Sequence, residues 1–224
     1  MSEDHKTGIS EDLKRIHSIF TRAIAVSIDR SREYSQNGFP DPAIQEGFTN
    51  FINSFVSLLN AHHLTEDDLT FPYFKKIIPN APYDRLSEDH RQIVVLLDQI
   101  QNAAEAAALG DRPKENLTEM NRLLGKLQEM WHPHIHIEET DFDQDKVNQA
   151  FSHEEQEKMS MEFSEHSAKH SGPDYLVLPF MLYNLAPADR SAMARELPPI
   201  ITEQLIPIAW KDQWKSMQPF LLSE

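Results

Sequence analysis

His62-His63-Leu64-Thr65-Glu66-Asp67 and His134-Ile135-His136-Ile137-Glu138-Glu139 share one pattern: a histidine, an acid four residues on, and a second acid directly after it. Positions four apart on an α-helix lie one turn apart on the same face. Each segment, if helical, therefore aims an imidazole and a carboxylate at one place. The flanking residues support helices in both cases. Phe48, Ile52, Phe55, Leu58 and Leu59 lead into His62, Glu66 and Leu69 at three- and four-residue spacing, and Leu123, Leu127, Met130 and Trp131 lead into His134 and Glu138 in the same way.

The same periodicity extends outward. Ser10-Glu11-Asp12 suits a helix start, a hydroxyl cap followed by acids at the positive end of the dipole. Leu13, His17, Phe20, Ile24 and Ile28 then form an apolar stripe with one histidine in it, until Gly38-Phe39-Pro40 breaks the pattern. The helix carrying His62 should end near Phe71-Pro72 or a turn later, before Pro79-Asn80-Ala81-Pro82. A third helix from about Ser87 turns Leu86, His90, Ile93, Val94, Leu97 and Ile100 inward and ends at Gly110. Pro113 fits the first turn of the fourth. Four such helices with short connections, and no strand signal, predict an all-α fold: an up-down-up-down four-helix bundle over residues 10–142. Ser152-His153-Glu154-Glu155 reads as a capping box. Beyond it, prolines from Pro173 to Pro219 divide the chain into short apolar pieces. Residues 143–224 are expected to be a helical extension of the same compact unit.

The bundle then repeats: a histidine on the first helix of each half (His17, His90), and His-x-x-x-Glu on the second. Buried imidazoles and carboxylates are costly unless paired or bound to metal. Ligands of these types without thiolate suit iron, manganese or zinc, and carboxylates can bridge two ions. His17, His62, Glu66, His90, His134 and Glu138 are the candidate ligands. His63, Asp67, His136 and Glu139, on neighbouring faces, are additional ligands, partners that orient the ligands, or solvated residues. His5, His153, His166 and His170 read as surface residues.

These residues resemble the hemerythrin-like, or HHE cation-binding, family. His62-His63-x-x-Glu66-Asp67 followed by Phe71-Pro72 is similar to that family's second-helix motif, His134-x-x-x-Glu138-Glu139 to its fourth-helix motif, and His17 and His90 to its single histidines. The tail, with Leu178-Pro179-Phe180, Tyr183-Asn184-Leu185, Trp210 and Trp214, resembles extensions on fungal members. The resemblance implies a non-haem di-metal centre, most often di-iron, with dioxygen as its partner. One departure stands out. Oxygen carriers of the family place two histidines four apart on the third helix, whereas Leu86 and Val94 flank His90 at that spacing here. Four imidazoles and two bridging carboxylates would fill about eight of the roughly twelve positions around two six-coordinate ions. Such an open site suits an oxidase or oxygenase acting on a small organic molecule, for which residues 173–224 would supply pocket walls such as Phe180, Tyr183 or Trp210. The alternatives are a non-catalytic protein that binds, senses or stores dioxygen or iron, and a metal-free interaction bundle.

Composition narrows the field further. A net charge of −15 opposes binding to nucleic acid or to an anionic membrane. The absence of cysteine excludes disulfides and thiolate ligands. Met1 to Ser10 lacks the apolar core of a secretion signal, and no stretch approaches the roughly 20 apolar residues of a membrane span. A cytoplasmic protein is the expectation.

Overall fold

The computed structural model describes residues 8–222, all helix and connecting turns with no strand among them. His5 lies outside the described residues. Helix α1 (Ile9–Asn37) has Glu11 and Asp12 in its first turn and ends where Gly38, at φ 78°, returns its N–H to the Tyr34 carbonyl. That positive φ, with ψ at 172°, is a conformation open in effect only to glycine, which has no Cβ to clash. Helix α2 (Pro42–Thr65) begins under Asp41, whose carboxylate accepts from the Ile44 N–H. It continues through one π turn (Glu66–Thr70), where the Phe71 N–H reaches back five residues to the Glu66 carbonyl, into the short α3 (Phe71–Phe74). Helix α4 (Tyr83–Ala108) starts a turn before Ser87, because the Pro82 carbonyl already accepts from the Leu86 N–H. Helix α5 (Pro113–Asp141) keeps Pro133 on its exposed side.

These helices form a four-helix bundle in which α5 packs on α1 and α4, and α4 packs on α2, while α1 and α2 touch little. The extension comprises α6 (Gln144–Ala150), α7 (His153–His170), α8 (Asp174–Tyr183), α9 (Pro187–Glu196), a π-helical segment (Ile201–Ala209), α10 (Lys211–Trp214) and a 3₁₀ segment (Lys215–Phe220). The capping box is formed: Ser152 and Glu155 bond each other's backbone N–H. No helix among the described residues is long and apolar enough to cross a membrane.

Why the extension packs where it does follows from α2. From residue 47 to residue 63 none of its side chains is exposed, and a helix enclosed on every side needs neighbours all round. The bundle covers one side; the extension covers the other. Phe180 lies on Phe51 with ring centroids 5.1 Å apart, and Phe220 on Phe48 at 5.5 Å. Arg22 of α1 pins the far end by donating to the Phe220 carbonyl and to Asn184. These contacts revise the expectation that the tail walls a cavity at the metal site. Phe51 is eleven residues before His62, about 16 Å along the helix axis. Tyr183 stacks on Trp214, and Trp210 packs against the main core. The tail's apolar residues cover α2 and do not reach the site.

The 3₁₀ segment passes so close to α2 that a Cβ on Gly47 would stand 1.8 Å from the Ser216 carbonyl oxygen. Gly47→Ala is expected to lower stability by about 1–3 kcal/mol through overpacking and to speed proteolysis at the C-terminus. Gly125→Ala on α5, where a Cβ meets nothing within 4 Å, should be neutral or stabilising. Equal thermal midpoints for the two variants would contradict this docking.

Candidate metal centre

At 100° per residue, the α2 motif has a geometry of its own. Taking His62 as the origin, His63 lies about 100° round the axis and Glu66 about 40°, between the two histidines. All three are buried: His62 to 9% exposure, His63 to 1%, Glu66 to 3%. In α5, Glu138 follows His134 by about 40° and both are fully buried. His17 from α1 and His90 from α4 close the ring, 1% and 2% exposed.

The seven side chains fall into two groups whose ligand atoms lie within 4.8 Å of one another: His63, Glu66, His90 and His134, and His17, His62, Glu66 and Glu138. Glu66 belongs to both. Glu138 reaches both as well, with Oε2 3.2 Å from His17 Nε2 and Oε1 3.4 Å from His134 Nε2. The two carboxylates thus sit between a pair of imidazoles and a trio.

The structure brings together all six candidate ligands and adds His63, which the motif's spacing had placed on a neighbouring face. A signal for His63 existed in Ile52 and Val56, apolar residues that lie about 80° and 120° round α2 from His62, on either side of the direction of His63. Asp67 and Glu139 stand behind imidazoles, accepting from His90 Nδ1 and His17 Nδ1, each at 3.0 Å. Asp89, which sequence reasoning passed over, lies 3.5 Å from His134 Nδ1. A carboxylate behind an imidazole fixes which nitrogen faces the site. His136 does not belong. It lies about 200° round α5 from His134 and is exposed.

Whether a cation suits this arrangement can be tested on the buried polar atoms. His17 Nε2, His62 Nε2, both nitrogens of His63, Glu66 Oε2 and both oxygens of Glu138 have no hydrogen-bond partner. Buried groups left so cost about 1–3 kcal/mol each. Several are only 3.2–3.5 Å from an opposite group, yet lack the geometry of a hydrogen bond to it. Ligand atoms about 2.1 Å from one ion and a right angle apart would stand about 3 Å from each other, and His90 Nε2 and His134 Nε2 are 3.2 Å apart. The residues fit metal ions.

Without an ion, protons supply the positive charge. Burial lowers the His17 pKa, but Glu138 and Glu139 beside it more than reverse this and hold it at about 9. His90 is likewise lowered by burial and raised further by Asp67 and Glu138, to about 10. Burial, followed by neighbouring positive imidazoles, pushes His62 and His63 well below the usual range. Burial would raise Glu138, yet the imidazoles of His134, His17 and His90 hold it well below the ordinary carboxylate value. Burial and the Glu138 charge push Glu66 well above it.

Aromatic rings line the centre. Phe20 packs on His62 at 5.3 Å and Trp131 on His17 at 5.5 Å, while Phe71 stacks on His90. The Trp131 indole N–H donates to Thr21 Oγ1 at 2.8 Å, away from the ligands. Outside the α4–α5 seam lies an open groove of about 600 Å³, lined by residues including Arg91, Val95, Lys126 and Met130 but by no ligand.

His63→Ala should weaken metal binding by more than the 10–100-fold that loss of an outer hydrogen-bond partner typically costs, and bring the loading towards one ion per chain. His136→Ala should leave metal content unchanged. Unaltered loading in the His63 variant would remove that residue from the centre.

Comparison with known proteins agrees with the geometry. No curated protein and no solved structure matches the chain. A model of the hemerythrin HHE cation binding domain matches residues 8–142, the span of the bundle with every residue of the centre inside it. On that match and that constellation, the chain belongs to the hemerythrin HHE cation-binding family.

Proposed function

We propose that this protein holds two iron ions per chain and binds dioxygen at them, as a binding protein and not as an oxidase of organic molecules. The observation that carries the reading is the set of five buried imidazoles and two shared carboxylates, all but His90 having at least one buried nitrogen or oxygen outside any hydrogen bond. Five nitrogens and four carboxylate oxygens account for about nine of twelve positions around two six-coordinate ions. Roughly three are left for water, hydroxide and dioxygen. Imidazole-rich sites favour iron over manganese, and a count above four per ion disfavours zinc, which is also without redox chemistry.

His17 and His62 would hold one ion, His63, His90 and His134 the other, with Glu66 and Glu138 shared. A reduced iron pair supplies the electrons that make dioxygen binding reversible. The chain supplies position and dryness: Phe20 and Trp131 cover the two-imidazole side, where fewer protein ligands leave more room. An enzyme would need a substrate-sized cavity at the ions. The tail supplies no wall for one, and the α4–α5 groove, the one feature favouring an oxidase, is an open surface.

The test is metal analysis of protein produced with iron supplied, followed by oxygen exposure. The expected result is two ions per chain and a spectrum that appears in air and reverses under vacuum. Dioxygen consumed continuously in the presence of an organic molecule would favour the oxidase. A chain without metal would leave an interaction bundle.

A further inference from the structure

Among the extension's contacts with the bundle, one meets the π turn directly beside Glu66. His166, one turn before the C-terminal end of α7, lies 3.0 Å by Nδ1 from Thr65 Oγ1 and 3.3 Å by Nε2 from Asp68 Oδ2. Thr65 and Asp68 stand on either side of Glu66, at the start of the π turn. The Thr65 hydroxyl gives its one proton to the Ala61 carbonyl at 2.8 Å. Its oxygen is therefore left as an acceptor, and His166 Nδ1–H is the donor. Elsewhere α7 buries Gln156 and Met159 and rests Phe163 on the Tyr73 ring. Glu162, one turn before His166, accepts from the Tyr73 hydroxyl at 2.7 Å, just past the same π turn.

A π turn carries one residue more than an α-helix would use, and such insertions need support from their surroundings. Here the turn determines what faces His90. Asp67 accepts from its Nδ1 at 3.0 Å, and Phe71 stacks on its ring with centroids 5.5 Å apart. Relaxing the turn to α-helix would rotate everything after it by about 100° and take Phe71 away from His90.

We propose that His166 is a positioning residue: from the C-terminal extension it clamps the start of the π turn by donating to Thr65, and so fixes the turn that presents Glu66 and Phe71 to the centre. The extension thereby becomes part of the metal site's support. This rests on the proposed metal reading only for its effect on metal; the clamp itself is a property of the chain.

The test compares the full chain with His166→Phe, which keeps a ring and loses both polar contacts, with His166→Gln, which retains a donor, and with His153→Phe as a remote control on the same helix. Amide hydrogen exchange of residues 67–71 is measured on metal-free protein. Exchange there should accelerate at least about tenfold in His166→Phe, less in His166→Gln, and not at all in His153→Phe. With iron as the probe, the Phe variant should release metal to a chelator faster and show an altered iron spectrum, with the Gln variant in between. Unchanged exchange at residues 67–71 in a folded His166→Phe protein overturns the clamp. If that variant fails to fold, His166→Ala, which loses both contacts without adding bulk, decides in its place, and parent-like exchange in it overturns the clamp. If the parent takes up no metal, the metal reading fails while the exchange measurement still judges the clamp.

Discussion

Replacing Glu66 and Glu138 together with alanine should take the chain from two bound ions to none. Each carboxylate serves both groups of imidazoles: Glu66 is common to the two clusters, and Glu138 places one oxygen by His17 and the other by His134. With both gone, one ion would keep two imidazoles and the other three, and no anion would offset a double positive charge in a site closed to water. Neutral nitrogen ligands in a buried site give little to balance such a charge. A single Glu66→Ala variant should retain metal more weakly, since Glu138 still spans the groups. Glu139→Ala, which removes only the acceptor behind His17, should cost about 10–100-fold in affinity, as expected for an orienting partner. The readout is metal per chain after exhaustive dialysis. Full loading in the double variant would falsify the shared-carboxylate centre.

How much of this centre the sequence displays depends on which physical rule governs each residue. Helical periodicity reveals His62 with Glu66, His134 with Glu138, and the single histidines of α1 and α4, because a one-turn spacing on an apolar stripe leaves little choice of direction. The same rule misplaces His63. Counted from His62 it sits on the next face, and only the burial of α2 on every side shows that the next face is also inside. Val56, about 120° round from His62 and so beside His63, is the apolar residue off the stripe that gives that answer. His136 is the converse case, correctly on another face and truly exposed, because α5 has one solvent side.

Long-range partners are harder to read. Asp89 directly precedes His90 on α4 but lies beside His134 on α5, 3.5 Å from its Nδ1, and no spacing within one helix expresses that. His166 sits in a polar helix and looks like a surface residue. It meets Thr65 only because α7 folds back along α2, a pairing between positions about a hundred residues apart. The tail's apolar content implies that it packs against something, and that expectation needs no structure. What it covers was fixed by which helix has an uncovered face, and Gly47 is the local trace of that contact.

Stripping the metal should destabilise the bundle substantially, and more so at alkaline pH. Binding to the folded state alone stabilises by about 4 kcal/mol when free ligand is a thousand times its dissociation constant. At about 2–4 °C per kcal/mol for a chain of this size, the thermal midpoint should fall by about 8–16 °C on chelation. Near neutral pH, protons soften the loss. His17 and His90, raised to about 9 and about 10 by the carboxylates around them, become charged partners for Glu138 in the metal-free protein. Their folded values exceed the unfolded value of about 6.5. The stability they contribute is therefore fully present below that value and is lost as pH rises through 9 to 10. The chelated protein should thus lose midpoint between neutral pH and about pH 10, while the loaded protein, whose imidazoles carry metal in place of protons, should lose less. Acid acts in the opposite sense on loading, because each ligand protonated is a ligand withdrawn and metal leaves as pH falls. Scanning calorimetry of loaded and chelated protein at several pH values measures both effects. A midpoint that a chelator leaves unchanged, with the metal shown to be gone, would mean the ions contribute nothing to holding these helices together.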